Sequence, residues 1–177
     1  MTTWAILATG PSMSQEQADM ARAFPCVAVS DAYRLAPWAE AIASVDAAWW
    51  SAHPAALNHP GRKFSTHLSF QKCPEGIERM PHVTGENSGL FGCKVAVHLG
   101  ATRLILLGFD MGGSHFFGEH PAPLKNTKPE RFDVFKRQFS GYKPRGVEIL
   151  NATAGSALKC FPNTTLEKEI ARSMQSA

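Results

Sequence analysis

The sequence predicts an α/β fold, a three-layer sandwich with a mostly parallel central sheet covered by helices on both faces. Three observations carry the prediction. Short apolar runs alternate along the chain with helix-like segments. The run Leu104–Leu107 is apolar at every position, as a strand buried on both faces must be. Small and polar residues recur where each apolar run ends, so one rim of the sheet stays hydrophilic. With 177 residues the chain suffices for one sizeable core, read as a single domain over 1–177 with a polar loop or lid region at about 109–145. Its 44% hydrophobic and 19% charged content places it among ordinary globular proteins.

The elements follow in order. "WAILAT" (4–9) is a strand. "GPSMSQEQADMARAF" turns into a helix, with Ser14 and Gln17 matching a capping box, Ala18, Ala21 and Phe24 forming an apolar stripe, and Pro25 ending it. "CVAVS" (26–30) is a second strand, "PWAEAIAS" (37–44) predicts a helix, and "AAWWSA" (47–52) a third strand. Residues 53–84, rich in Pro, His and Gly, hold one short strand near "KFSTHLS" (63–69). "NSGLFGCKVAVHLG" (87–100) predicts a helix starting near Asn87 or Ser88, with Gly100 as its left-handed terminal residue. "RLILLG" (103–108) is the central strand, "VEILNAT" (147–153) another, and a last helix begins near Thr165.

Composition removes several function classes. No apolar stretch approaches the roughly 18–20 residues that span a bilayer, and the N-terminus lacks the basic start and apolar core of a signal peptide. The expectation is a cytoplasmic protein with no membrane partner. Cys26, Cys73, Cys93 and Cys160 form no C-x-x-C pair, which fits reduced core residues better than a disulfide frame or zinc site. The formal charge of +3 gives no global polyanion signature. Residues 125–145, however, carry seven basic residues against two acidic ones, which suits either phosphate contact or a solvated helix face. Phe132, Phe135, Phe139 and Tyr142 interleave with those charges. They could stack on bases, but the 132/135/139 spacing is also that of a helix packing into a core.

Ligands of parallel sheets bind beyond the carboxyl ends of the strands, so the residues leaving each strand are informative together. They are Gly10-Pro11-Ser12, Ser30-Asp31, His53, Gly108 to Asp110, and Asn151 to Thr153. "ATGPS" (8–12) is either a phosphate-attracting turn or an ordinary strand-to-helix connection; it is neither G-x-G-x-x-G nor a P-loop. "TGENSG" (84–89), with Gly85, Asn87, Ser88 and Gly89, is a second helix start suited to capping or to anion binding. In "GFDMGGSHFFGEHP" (108–121), Asp110 could hold a hydroxyl, amide or metal, and His115 and His120 could move protons near neutral pH. A spacing of five does not put two histidines on one helical face, and no zinc motif accompanies them, so no metal is assigned. Gly112, Gly113 and Gly118 would let this loop move over a ligand. Asn151, Thr153 and Ser156 either line a pocket or pack.

"LATGPSM", "VAVSDAY" and "ENSGLFGCKVAVHLGATRLILLGFDM" together resemble the Rossmann-like domain of DUF115-type proteins and family 42 bacterial sialyltransferases. The loop "HFFGEHP" and the stretch "NATAGSALKCFP" are most similar to phage-encoded members, which would put the protein in a host cytoplasm. The resemblance implies a nucleotide ligand. It places Gly10, Pro11 and Ser12 on the nucleotide loop, Ser30 and Asp31 on the turn after the second strand, Asn87, Ser88 and Gly89 on a second nucleotide contact, and Asp110 on a strand-end acid. His120 falls loosely on the catalytic histidine, and the active-site tyrosines have no clear equivalent near Phe116 and Phe117.

Two functions are therefore expected. One is a nucleotide-dependent transferase, moving a glycosyl or phosphoryl-type group from a nucleotide or nucleotide-sugar donor, with His115 or His120 as base and Asp110 orienting the ligand. Mg²⁺ is expected only for phosphoryl transfer. The alternative is a non-catalytic module that binds nucleotides or single-stranded nucleic acid through the 125–145 segment.

Overall fold

A computed structural model describes residues 1–66, 74–80 and 87–175. The chain opens with β1 (Thr3–Leu7), buried from Trp4 onward. Ser14 then caps α1 (Gln15–Met20), its side chain accepting the Gln17 N–H at 3.2 Å. Only this half of the capping box forms, since the Gln17 side-chain oxygen is buried without a hydrogen-bond partner. A single 3₁₀ turn (Ala21–Ala23) leads to β2 (Cys26–Val29), buried throughout.

The next two elements exchange the predicted types. Residues 37–44, expected to be a helix, instead contain β3 (Ala41–Ala43). Residues 47–52, expected to be a strand, form α2 (Ala47–Ala52), followed by α3 (Pro54–Leu57). The cause of the first reversal is tertiary. Ala41, Ile42 and Ala43 are fully buried and pair in parallel with Val27, Ala28 and Val29, while Glu40 accepts the Cys26 N–H at the strand's entry. Helix propensity of a fraction of a kcal/mol per residue does not survive that burial. The second reversal has a local cause: Asp46 accepts the Ala48 N–H at 2.8 Å and caps the helix. Trp49 and Trp50 are then both buried in one cluster with Ile42, Ala56 and Ile77, whereas a strand would send them to opposite faces.

β4 (Arg62–Thr66) and β5 (Glu78–Met80) complete this half. Residues 67–69 of the expected strand, together with Cys73, Thr84 and Gly85, lie outside the described residues. α4 (Ser88–His98) and β6 (Arg103–Leu107) match expectation, with Gly100 at φ +98° between them. α5 (Arg131–Gly141), β7 (Glu148–Asn151) and α6 (Leu166–Gln175) follow.

The strands form one sheet in the order β5–β4–β3–β2–β1–β6–β7, and every described pair is parallel. Alternate residues of the central strands feed two cores. Ile6, Leu104 and Leu106 face Phe91 of α4 and Phe139 of α5; Leu7, Ile105 and Leu107 cluster with Ala18 of α1 and Leu166 of α6. The architecture is the expected Rossmann-like three-layer sandwich. No helix among the described residues is long and apolar enough to cross a membrane. Cys26 and Cys93 lie in the core, where burial pushes both thiols far up. Cys160 is exposed, contrary to the expectation of a core position.

α4 crosses the sheet closely enough that a Cβ on Gly92 would lie 2.7 Å from Val29 Cγ2. Gly92→Ala gains about 1 kcal/mol of helix propensity but overpacks a stiff β-branched side chain, at about 1–3 kcal/mol. We expect a net loss of about 1 kcal/mol in urea unfolding. Gly141→Ala, which meets nothing within 4 Å, should be neutral or slightly stabilising in the same measurement.

Candidate functional site

Successive strands step from β1 outward to β5, and β6 then returns to the opposite side of β1. The loops leaving β1 and β6 consequently diverge, opening a crevice at the carboxyl ends of the two strands. A cleft of about 930 Å³ lies there. Its walls include Thr9, Gly10 and Ser30, the α4 start at Asn87–Gly89, the loop Gly108–His115, and the first half of α5.

The turn after β1 is closed on itself. Ser12 donates its hydroxyl to Asp110 Oδ2 at 2.8 Å and its N–H to Asp110 Oδ1 at 3.2 Å. The Gly10 N–H goes to the Gly108 carbonyl and the Met13 N–H to the Gly10 carbonyl. A Cβ on Gly10 would stand 1.9 Å from Asp110 Oδ2 and 2.3 Å from the Gly108 oxygen. Glycine is thus required by the approach of the two loops to each other. Pro11 and Ser12 do not belong to the cleft wall, and Asp110 there has both oxygens engaged by Ser12.

The start of α4 is arranged differently. Asn87 caps it, accepting the Leu90 N–H at 2.9 Å and donating from Nδ2 to Gln138 of α5 at 3.0 Å. The Ser88 hydroxyl accepts the Val45 N–H, and Gly89 makes room for Phe109, whose Cε1 would lie 3.0 Å from a Cβ there. Among the described residues, the N–H groups of Ser88 and Gly89 have no partner, and both residues face the cleft. The same cleft is lined by Lys125, Arg131, Phe132, Phe135 and Lys136, the last paired with Asp133 at 2.8 Å. Phe139 is buried against Phe109 and Phe161, and Tyr142 lies beneath Lys94, so only two of the four aromatics face the cleft.

At the other end of the cleft a hydrogen-bonded cluster centres on Asp31, 1% exposed, directly after Ser30 at φ +46°. The Trp49 indole N–H donates to Asp31 Oδ2 at 2.7 Å, and His53 Nε2 lies 3.2 Å from Oδ1. Arg34 reaches Oδ1 at 3.5 Å, and His120 Nδ1 stands 3.9 Å from Oδ2. His115 Nδ1 bonds the Thr9 hydroxyl at 2.9 Å, its ring stacks on Phe117, and its centroid lies 4.7 Å from that of His120. The loop carrying both histidines is tied down by Phe116 N–H to the Thr9 carbonyl and by His120 N–H to Asn126 Oδ1. Burial lowers both imidazole pKa values and outweighs the pull of Asp31; for His115 the neighbouring His120 lowers it further. Lowering favours the neutral, proton-accepting form of both rings near neutral pH.

His115, His120, Ser30 and the α4 start therefore share one cleft, while Asp31 stands behind His120 and Ser12 behind Asp110. Asn151, Thr153 and Ser156 are buried away from the cleft: Thr153 accepts the Phe109 N–H and Ser156 donates to the Phe109 carbonyl, bracing the loop after β6. No group of three or more potential metal ligands occurs among the described residues. Thr9, Trp49 and the bonding of His53 to Asp31 escaped the sequence reading. Asp46 before "AAWWSA" was the missed signal, since capping a helix there turns Trp49 and His53 toward the second strand's end. No match to a protein family, a curated protein or a solved structure was found for this chain.

Removing the Asp110 carboxylate leaves the part-buried Ser12 N–H and hydroxyl unpaired. We expect Asp110→Ala to cost about 1–3 kcal/mol in urea unfolding; an unchanged midpoint would contradict the lock. The histidines add a pH dependence. Their folded values lie below the ordinary imidazole value of about 6.5, so the unfolded chain binds more protons in acid. The stability they contribute is fully present above about pH 6.5 and is lost as pH falls through their lowered folded values. His59, lowered by burial as well, contributes in the same sense. A His115→Gln/His120→Gln variant should lose less stability than wild type between pH 7.5 and 5; equal losses would contradict it.

Proposed function

We propose that the cleft binds a nucleotide-bearing donor and transfers a glycosyl or phosphoryl-type group from it to an acceptor hydroxyl. The observation that carries this reading is the juxtaposition, in one cleft, of a helix start whose first two N–H groups have no partner among the described residues and two histidines backed by a buried carboxylate. Unpaired amides at the start of α4 suit phosphate oxygens, helped by the positive end of the helix dipole. Lys125 and Arg131, which line the same cleft, would add positive charge for a leaving phosphate that accumulates negative charge. Phe132 and Phe135 offer apolar surface for a base.

His120 presents Nδ1 toward Asp31, which favours a hydrogen on that nitrogen and leaves Nε2 to accept one. In transfer, the acceptor oxygen forms a bond to the anomeric carbon or phosphorus of the donor. The bond from that atom to the nucleotide oxygen breaks, its electron pair leaves with the nucleotide, and the acceptor proton goes to His120. A positioned base is worth about 10²–10⁴ in rate.

The resemblance described above agrees in ligand class, but the phosphate contact is reassigned here: the α4 start serves instead of the Gly10–Ser12 turn. The nucleic-acid reading is weakened by the burial of Phe139 and by Tyr142 packing under Lys94, which leave two aromatics in a cleft instead of a row along a surface.

A thermal-shift screen of nucleotides and nucleotide sugars, with and without Mg²⁺, tests the proposal. A ligand at 100 times its Kd adds about 2.7 kcal/mol, or about 5–10 °C for a chain of this size. Arg131→Ala with Lys125→Ala, both exposed, should reduce that shift without lowering the ligand-free Tm. His120→Ala should keep the shift and lose turnover at least 100-fold. Absence of any shift across the screen would refute the proposal.

A further inference from the structure

His53 is not on the cleft wall, yet its ring is the most tightly held of the cluster. Its Nδ1 lies 2.8 Å from the Trp49 carbonyl oxygen, and its Nε2 lies 3.2 Å from Asp31 Oδ1. It also stacks on the Trp49 indole at 4.5 Å between centroids, with only 20° between planes. Both partners of its nitrogens are acceptors. A carbonyl oxygen has no hydrogen to give, and a carboxylate at 3.2 Å from a bare imidazole nitrogen would set lone pair against lone pair. The geometry is satisfied when both nitrogens of His53 carry hydrogens.

We infer that His53 sits on Asp31 as an imidazolium and acts as a positioning residue that keeps His120 a neutral proton acceptor. The inference rests on the functional reading above for its catalytic meaning, though not for its structural content. The buried Asp31 carboxylate pulls toward a proton on His120, whose Nδ1 is 3.9 Å away, against the effect of burial. With His53 donating to one oxygen and Trp49 to the other, that carboxylate is already balanced. The other charged groups bearing on His120 are Asp46, which favours its protonation, and Arg34, which opposes it; His115 stands on its open side, ring centroids 4.7 Å apart. Arg34 also meets Asp31 Oδ1, at 3.5 Å from a half-exposed side chain, whereas His53 meets that oxygen at 3.2 Å with both ring nitrogens held.

The test uses the ligand-free full-length protein with ¹⁵N-labelled histidine. In long-range ¹H–¹⁵N spectra of the wild type at pH 7, the His53 ring should show the pattern of an imidazolium and His120 that of a neutral ring. In His53→Gln, which removes the charge and keeps a donor, the His120 titration midpoint should rise by about 0.5–1 pH unit. A neutral His53 pattern in the wild type overturns the inference, and so does an unmoved His120 midpoint in a folded variant. Should a His53→Gln chain fail to fold, the wild-type titration decides: His120 must take its proton at a lower pH than His53, and the reverse order overturns the inference. Because no nucleotide is present, failure of the protein to bind nucleotides would overturn the functional reading alone.

Discussion

The bond between Ser12 and Asp110 is the constraint on which the site depends. It joins the loop leaving β1 to the loop leaving β6 at the one place where neighbouring strands send their chains in opposite directions. Without it, two divergent loops would frame an open crevice with nothing to set its width. With it, Gly10 is pressed against Asp110 and Gly108, and the loop after β6 is drawn over Thr9. Thr9 in turn holds His115 through its hydroxyl and Phe116 through its carbonyl. The histidine loop is thus registered on the sheet through a short series of bonds, all originating at the β1–β6 junction.

The two ends of the cleft differ in how they use polar groups. At the α4 start, the Asn87 side chain and carbonyl take the Leu90 and Phe91 N–H groups, and among the described residues the outer two N–H groups have no partner, an arrangement suited to an incoming anion. At the Asp31 end, a buried carboxylate is surrounded by donors, and a buried charge is tolerable only when so compensated. On the proposed reading, the first end takes the ligand's phosphate and the second, its donors and acceptors matched internally, tunes a base. Separating the two in this way would let each have the electrostatics it requires. A neutral imidazole close to a strongly positive phosphate site keeps its lone pair free.

Much of this was legible in the residues. Fully apolar "RLILL" identified the central strand, and Ser14, Asn87 and Gly100 marked helix ends by side-chain chemistry that acts locally. His115, His120 and the α4 start, singled out because they follow strand or helix ends at the hydrophilic rim, line one cleft. What failed was non-local. "AEAIA" favours a helix in isolation, and only pairing between β2 and β4 makes it a strand. "AAWWSA" looks like a strand from its tryptophans, and Asp46 decides otherwise. Glycine and serine after β1 suit a ligand loop and the close approach of another loop alike, and the sequence leaves both open. The actual neighbour, Asp110, is 98 positions distant from Ser12.

Central to the account is that ligand phosphate meets the start of α4 and not the turn after β1. Backbone amide chemical shifts during titration with a nucleoside diphosphate measure this directly. The account predicts large shifts at Ser88 and Gly89, with Gly10 and Ser12 nearly still. Large shifts at Gly10 and Ser12, with Ser88 and Gly89 unmoved, would contradict it.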